Sequence, residues 1–135
     1  MKCTICSNSF GKSFEIANMV GWPIKVAADG NIELKKYNLI HFICANYGDE
    51  ELQPEMEKLL ISIKINKKPY VLLEIGNSFG EGKQFFGCLS VAKKILSTKK
   101  WNCLASYSLD AFPDYKQDYL NYWIATIKKL GKKYE

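Results

Sequence analysis

The sequence predicts an α/β fold in which helices cover both faces of a parallel sheet. Short apolar segments alternate with amphipathic segments along the whole chain. The third and fourth apolar segments, residues 39–44 and 69–75, are apolar almost throughout, which is typical of strands buried on both faces of their sheet. Strands that are joined through helices run parallel, with right-handed crossovers. The 135 residues therefore predict a single domain, residues 1–135, built in three layers.

Five strands are predicted from apolar and β-branched runs. They are residues 2–6, 24–27, 39–44, 69–75 and 101–107. The second run is the shortest, and the turn signal Asp29-Gly30 follows it, so we expect a short and weakly paired strand there.

Four segments carry apolar residues at helical spacing, and a short crossover between the second and third strands makes a fifth helical segment. They are residues 13–20, 54–63, 84–96 and 115–130, with 32–37 as the crossover. Gly21 and Pro23 end the first helix, because glycine favours a helix C-terminus and proline cannot continue a helix. In the last helix, Tyr119, Trp123, Leu130 and either Thr126 or Ile127 are predicted to face the core.

The charged residues argue against a nucleic-acid partner. The net charge is +5 and the isoelectric point is near 8.9, but all 19 basic residues are lysines and none is arginine. Lysine lacks the planar fork with which arginine reads guanine or clamps phosphate. The lysines are also scattered in pairs along the chain, so we interpret them as a solvated surface.

The apolar runs and the cysteines indicate a cytoplasmic protein without a membrane partner. No apolar run approaches the roughly 20 residues of a membrane span, and strand-like sequence begins too early for a signal peptide. An odd number of cysteines, five in all, indicates reduced thiols. Cys3-x-x-Cys6 could be a redox motif, but a strand places these two side chains on opposite faces. His41 lies in the middle of a strand, and we interpret it as a packed residue.

Three polar loops follow the first, third and fourth strands and must emerge at the same edge of the sheet. The first loop consists of Ser7, Asn8, Ser9, Phe10, Gly11, Lys12 and Ser13. The second contains Ala45, Asn46, Tyr47, Gly48 and Asp49, and the third begins Gly76, Asn77, Ser78 and Phe79. The first loop leads into a helix N-terminus, where free amides and the helix dipole favour an anion.

Each loop also has a simpler interpretation. Ser9 or Ser13 could cap the first helix, the second loop could be an ordinary turn, and the third could be a flexible connection. Their convergence favours a binding site, because a phosphate site and two exposed aromatic rings, Tyr47 and Phe79, suit a phosphorylated ligand with a planar ring system.

These residues resemble the flavodoxin family over nearly the whole chain. Short-chain flavodoxins carry Trp/Tyr-Gly-Asp after the third strand and then an acidic, Leu-Gln-containing helix start. Tyr47-Gly48-Asp49 and Glu51-Leu52-Gln53 match that pattern. Gly76-Asn77-Ser78 and Phe86-Gly87-Cys88 match the family's segment after the fourth strand more loosely.

The first loop departs from the family pattern, which reads Ser/Thr-x-Thr-Gly-x-Thr. It matches at Gly11 and Ser13, whereas Asn8 and Phe10 stand where the family has hydroxyl residues. The neighbouring hydroxyls of Ser7 and Ser9 could substitute for them.

The resemblance implies a flavodoxin-like three-layer sandwich with strand order 2-1-3-4-5 and noncovalently bound FMN. It implies that residues 7–13 hold the phosphate and that the isoalloxazine ring stacks between Tyr47 and Phe79, with Phe85 as the second choice. It also implies that the Gly48 peptide flips to accept a hydrogen bond from a reduced flavin, since glycine permits the flip. Asp49 and the carboxylates after it would oppose an anionic flavin.

The function implied is electron transfer between a reductase and an acceptor, by a monomer that has no catalytic residue or metal of its own. Known flavodoxins are strongly acidic and this chain is not, so either its redox partner has an acidic docking surface or it is not a general electron carrier. Two alternatives stay open. One is a flavoprotein with a single partner, resembling the activator of manganese ribonucleotide reductase, and the other is a binding module of this fold without FMN.

Overall fold

Strands and helices alternate in the computed structural model of the chain, which describes residues 1–30, 32–47, 51–78, 84–111 and 114–134. The strands are β1 (Lys2–Cys6), β2 (Ile24–Val26), β3 (Leu39–Tyr47), β4 (Glu51–Leu52), β5 (Pro69–Ser78), β6 (Gln84–Phe85) and β7 (Asn102–Asp110). The α-helices are α1 (Gly11–Val20), α2 (Pro54–Ser62), α3 (Cys88–Thr98) and α4 (Gln117–Gly131).

Five parallel strands form the sheet in the order β2-β1-β3-β5-β7. Counted without the two-residue strands, this is the predicted order 2-1-3-4-5, so the predicted fold class is confirmed. The short strands β4 and β6 pair antiparallel with the ends of β3 and β5. As expected, β2 is only three residues long and pairs with β1 alone among the described strands.

The structure corrects the sequence-based boundaries in three places. Residues 32–37 form no helix, and a 3-10 turn at Ala27–Asp29 followed by irregular chain makes the crossover instead. The predicted helix 84–96 begins only at Cys88, because residues 84 and 85 pair with β5 as a strand. Strands β3, β5 and β7 run three residues further than predicted, so each predicted loop starts later.

Two apolar cores lie on the two faces of the sheet. One contains Phe42, Leu72 and Trp101 together with α2 and α3, and the other contains Ile43, Trp123 and the buried side of α1. Side chains alternate across a strand, so neighbouring residues of β3 and β5 serve opposite cores. This explains why the two central strands are apolar almost throughout.

Cys3 and Cys6 belong to opposite cores, as predicted from the period of a strand. Burial raises the pKa of Cys3 to about 12 and that of Cys6 to about 11. Both thiols are free and buried, and they cannot form a redox pair across the sheet.

Helix α4 buries Trp123 and Ile127, as predicted, and Leu130 packs against the same core, but the prediction for Tyr119 is wrong. The buried residues are Leu120, Trp123, Ile127 and Gly131, whereas Tyr119 is 53% exposed. Its ring lies near the ammonium of Lys116, 5.9 Å from Nζ to the ring centre, and not in the core. Among the described residues, no helix combines the length and apolar character that crossing a membrane requires.

Most lysines lie at the amino edge of the sheet, where the parallel strands begin and the helices end. They are Lys2, Lys35, Lys36, Lys64, Lys67, Lys68, Lys99, Lys100, Lys128, Lys129, Lys132 and Lys133. Some bind carbonyls there: Lys99 Nζ donates to the carbonyls of Ile61 and Ile63, at 3.1 and 2.6 Å. Carboxylates are more frequent at the opposite, carboxyl edge, where Asp29, Glu55, Glu57, Asp110 and Asp118 lie.

His41 is fully buried in β3 and both of its ring nitrogens have partners. The indole N–H of Trp123 donates to His41 Nε2 at 3.0 Å. Since an indole nitrogen can only donate, Nε2 carries no proton, and the proton on Nδ1 faces Thr4 Oγ1 at 3.3 Å. His41 is therefore a satisfied core residue, as the sequence indicated, and burial lowers its pKa to about 3.

We predict that acid destabilises the folded protein through His41. The pKa is about 3 in the folded state and ordinarily 6.5. Between these values the unfolded chain binds a proton that the folded chain does not, so the free energy of unfolding falls as the pH falls from 6.5 toward 3. One such proton contributes a slope of about 1.4 kcal/mol per pH unit. Urea denaturation from neutral to mildly acidic pH measures this slope.

His41→Gln is the matched variant, because glutamine can accept from Trp123 and does not titrate. Carboxylates titrate in both proteins and cancel in the comparison. The free energy of unfolding of the variant should therefore depend less steeply on pH than that of the wild type. Equal slopes would contradict this account of His41.

Candidate functional site

The carboxyl ends of β1, β3 and β5 lie side by side, because these strands are neighbours in the sheet. This placement brings the three polar segments predicted from the sequence to one edge. Ligands of open α/β sheets bind at this edge, where the strand order reverses between neighbouring strands. Here the reversal occurs between β1 and β3.

A pocket of about 130 Å³ lies at this point. It is lined by Ser7, Asn8, Phe10, Gly11, Lys12, Ser13, Ala45, Gln53 and Ile75. Six of the seven predicted residues of the first loop thus line one pocket together with Ala45, whereas the exposed Ser9 does not. Ile75 and Ala45 provide apolar walls from β5 and β3.

The N-terminus of α1 opens into this pocket without a side-chain cap. Its N-cap residue is Phe10, whose side chain makes no capping hydrogen bond and is 72% exposed. The alternative in which Ser9 or Ser13 caps the helix is therefore wrong, since the helix begins at Gly11. The first amides of a helix have no partners within the helix, so those of α1 are available to an anion.

Gly11 sets the direction of this turn. Its φ of 81° is in the left-handed region, which favours glycine. The first loop therefore needs a glycine at this position for a backbone reason that is independent of any ligand.

Two buried polar atoms of the pocket lack a hydrogen-bond partner. They are Ser7 Oγ and Gln53 Oε1, and they are the only such side-chain atoms in the described part of the chain. Ser7 is fully buried. A buried polar atom without a partner costs about 1–3 kcal/mol, so two such atoms in one pocket indicate a site that a polar ligand completes.

Lys12 reaches away from the loop to the segment before α4. Its Nζ lies 2.6 Å from Asp114 Oδ1 and 5.2 Å from the centre of the Tyr115 ring. The hydrogen bond from Lys12, together with one from the Tyr115 amide, holds the pKa of Asp114 below its usual range. This ion pair ties α1 to the C-terminal part of the chain.

The second predicted segment is partly strand. Ala45, Asn46 and Tyr47 are the last residues of β3, and Tyr47 pairs with Glu51 as the chain turns back. Asn46 Nδ2 donates to the Ile75 carbonyl at 3.2 Å, and Asn46 Oδ1 accepts from the Cys88 amide at 3.1 Å. Asn46 thus joins β3, β5 and α3. Gly48, Asp49 and the side chain of Tyr47 lie outside the described residues, so their cofactor contacts stay predictions.

The third predicted segment continues β5. Gly76, Asn77 and Ser78 are its last residues, and Asn77 pairs with Phe85 through the backbone. Phe85 therefore begins no helix, in contrast to the prediction, and lies on the short strand opposite the end of β5. Phe79 and the side chains of Asn77, Ser78 and Phe85 lie outside the described residues.

A buried carboxylate that the sequence did not reveal holds this edge together. Glu74 Oε2 accepts from the amides of Gly87 and Leu89, at 2.9 and 2.8 Å, and from Cys88 Sγ at 3.4 Å. Glu74 Oε1 accepts from Ser108 Oγ at 2.7 Å. The carboxylate thus satisfies the N-terminus of α3, where a negative charge also complements the helix dipole.

Cys44 and Cys88 lie near Glu74, and their pKa values are raised well above the ordinary range. Burial is the main cause for both thiols, and the Glu74 carboxylate adds to it. These thiols therefore stay protonated and are not nucleophiles.

Larger clefts lie elsewhere, along the irregular crossover between β2 and β3. Their volumes are about 420, 370 and 360 Å³. Charged residues of both signs, such as Lys58 and Glu55, line them. Neither unpartnered buried atom faces them, so the smaller pocket at α1 is the better candidate site.

Sequence reasoning found the first loop but missed Gln53, Glu74 and Ser108 as residues of this edge. The sequence indicates Gln53 only as part of a family motif. Its position directly before Pro54, at the start of a helix that begins at the carboxyl edge, was a usable signal. Glu74 was the one charged residue in an apolar strand, which indicates a buried charge with partners.

The sequence matches no protein-family model and no curated protein. The structure, however, is similar to that of oxidised flavodoxin 1 from Bacillus cereus, with a TM-score of 0.72 at 13% sequence identity, over 99% of each chain. It is similar to Fusobacterium nucleatum flavodoxin bound to flavin mononucleotide, with a TM-score of 0.72 at 16% identity, over 99% of this chain and 98% of that one.

A third similar structure is the flavodoxin of Streptococcus pneumonia TIGR4, with a TM-score of 0.64 at 17% identity, over 98% of each chain. These likenesses cover nearly the whole chain at low sequence identity. They show that the chain has the flavodoxin-like fold.

We predict that Glu74 contributes strongly to the stability of this edge. Glu74→Leu leaves the Gly87 and Leu89 amides without an acceptor, which should lower the free energy of unfolding by about 3 kcal/mol. Glu74→Gln loses the charge but keeps one acceptor oxygen for the α3 amides, and its NH₂ group can donate to the Ser108 hydroxyl, so its cost should be about 1–2 kcal/mol. Urea denaturation at neutral pH measures both.

Glu55→Leu is the matched control, because Glu55 also lies in the first turn of a helix, α2, but is only half-buried. Its cost should stay below about 1 kcal/mol. The account of Glu74 is wrong if Glu74→Leu costs no more than this control.

Proposed function

We propose that this protein binds FMN noncovalently and carries electrons between redox partner proteins. The observation that carries the proposal is the pocket at α1. It combines an uncapped helix N-terminus with the unpartnered, fully buried hydroxyl of Ser7. Free amides and a buried donor suit the terminal phosphate of FMN. The similar Fusobacterium protein is described as bound to flavin mononucleotide, which supports the choice of ligand.

Different residues bind the phosphate, stack on the flavin ring and adjust its reduction potentials in this proposal. The residues of the first loop that line the pocket hold the phosphate, and Tyr47 and an aromatic residue of the third segment, Phe79 or Phe85, stack on the flavin ring. The Gly48 peptide and the Asp49 carboxylate adjust the reduction potentials. FMN supplies the electron chemistry when it is bound, and the chain orients it and shields it from water.

The remaining expectations belong to the same proposal. The protein acts as a monomer of one domain in the cytoplasm, with no nucleic-acid or membrane partner. Its redox partner is a protein with an acidic docking surface, which the net charge of +5 favours.

The test of this proposal is an absorption spectrum of the purified protein, followed by titration with FMN and by reduction with dithionite. We expect flavin bands that shift on binding and bleach on reduction. A protein without bands that also fails to bind added FMN would instead be a binding module of this fold with another ligand.

Ser7→Ala should have opposite effects on the ligand-free and the ligand-bound protein. Removing an unsatisfied buried hydroxyl relieves a desolvation cost, so the free energy of unfolding without FMN should rise by up to about 1 kcal/mol. The same change removes a donor to the phosphate, so FMN affinity should fall about tenfold. Riboflavin, which has no phosphate, should lose much less affinity. Urea denaturation and fluorescence titration measure the two effects.

Ser9→Ala is the control, because Ser9 is exposed and does not line the pocket. It should change neither quantity appreciably. If Ser7→Ala leaves FMN affinity at the wild-type value, the phosphate does not bind in this pocket.

A further inference from the structure

Gln53 enters the pocket from a different element than the first loop. The chain turns back after Tyr47, and Asn46 pairs with Leu52 in the antiparallel β3–β4 pairing. One residue further, this pairing places Gln53 beside Ala45, and both residues line the pocket. The pocket is therefore lined both by the first loop and by the residue that precedes α2.

The amide group of Gln53 has no structural task that accounts for its position. Gln53 occupies the N-cap position of α2, but its side chain makes no capping hydrogen bond. Its Oε1 atom is buried and has no partner. A buried polar atom normally has a partner in a folded protein, so this one indicates a group that is present only when the pocket is filled.

The amide can meet a phosphate by presenting its nitrogen. The two ends of a glutamine amide are interchangeable by a half-turn about the last side-chain bond, and only hydrogen-bond partners decide between them. Nothing holds Oε1 in its present place. After the half-turn, an N–H₂ group occupies the buried position and can donate to an anionic oxygen.

We propose that Gln53 is a phosphate-binding residue, which adds a donor to those of the α1 amides and Ser7 in the same pocket. This inference rests on the proposed binding of FMN. It adds a donor from outside the loop to which the family resemblance assigns the phosphate. The first loop has Asn8 and Phe10 where that resemblance has hydroxyl residues, and Gln53 supplies a donor that the loop lacks.

The experiment compares Gln53→Leu, Gln53→Glu and the wild type in titrations with FMN, with riboflavin and with inorganic phosphate. Gln53→Leu should lower FMN affinity about fivefold to tenfold, as expected for one lost hydrogen bond to a charged group. Gln53→Glu places a carboxylate against the phosphate and should lower FMN affinity more than Gln53→Leu does. Riboflavin affinity should stay within about twofold in both variants.

Inorganic phosphate reports on the pocket without the flavin ring. It should raise the melting temperature of the ligand-free wild type, and the rise should be smaller for Gln53→Leu. Because the Gln53 side chain caps nothing, both variants should fold, and far-UV circular dichroism of the ligand-free proteins checks this. Gln117→Leu is the matched control, since Gln117 is exposed on α4 and pairs with Asn121.

The outcomes separate this proposal from the proposed function. Unchanged FMN affinity in Gln53→Leu overturns it, and so does an equal loss for FMN and riboflavin, which would place Gln53 against the flavin or its ribityl chain. If the wild type binds inorganic phosphate through Gln53 but does not bind FMN, the assignment of Gln53 stands and the proposed function fails.

Discussion

The buried carboxylate of Glu74 is the interaction on which the carboxyl edge of this sheet depends. It accepts hydrogen bonds from the N-terminus of α3 and from Ser108 on β7, while Asn46 on β3 bonds to the Ile75 carbonyl and the Cys88 amide. Together they join three neighbouring strands and a helix at the points where strands give way to loops. A charge in this position is costly unless every lone pair is used, and here both carboxylate oxygens have partners. The proposed ring-binding segments therefore leave the sheet from a fixed base.

At the proposed phosphate site on the same edge, polar groups lack hydrogen-bond partners within the protein. Around Glu74 and Asn46 the polar groups are satisfied within the protein, whereas at α1 the helix end has no side-chain cap and Ser7 has no partner. A hydrogen-bond network in which every group has a partner favours one geometry. Polar atoms without a partner indicate instead which kind of group a ligand has to supply. The two halves are joined through β3 and β4, because Asn46 pairs with Leu52 and Gln53 is the next residue. A ligand that spans both halves would place its ring beside a hydrogen-bonded edge. Its anionic group would supply the hydrogen-bond partners that the groups at α1 lack.

The sequence was sufficient for the fold because the pattern of apolar residues is a direct consequence of burial on two faces. It was insufficient wherever a tertiary contact decided the outcome. Phe85 was assigned to a helix by its spacing, but pairing with the end of β5 makes it a strand. The spacing predicts Tyr119 in the core, but Leu120 is buried in its place in the first turn of α4, while Trp123 and Ile127 are buried as predicted. The polar residues at the ends of strands were predictable from topology, whereas the partners of Glu74 and the missing partner of Ser7 depend on distances that no sequence pattern contains.

The unequal placement of lysines and carboxylates gives the molecule a dipole moment that lies along its strands. A net charge describes how a protein acts at distances much larger than its own size. At a distance of one protein diameter, a charged surface also exerts a torque, and it turns the molecule before any contact forms. The amino edge, with most of the lysines, and the carboxyl edge, with the candidate site, would be drawn in opposite directions by the same surface. An acidic partner is therefore attracted at long range by the total charge of +5, whereas at the site it meets a local charge that the total does not describe.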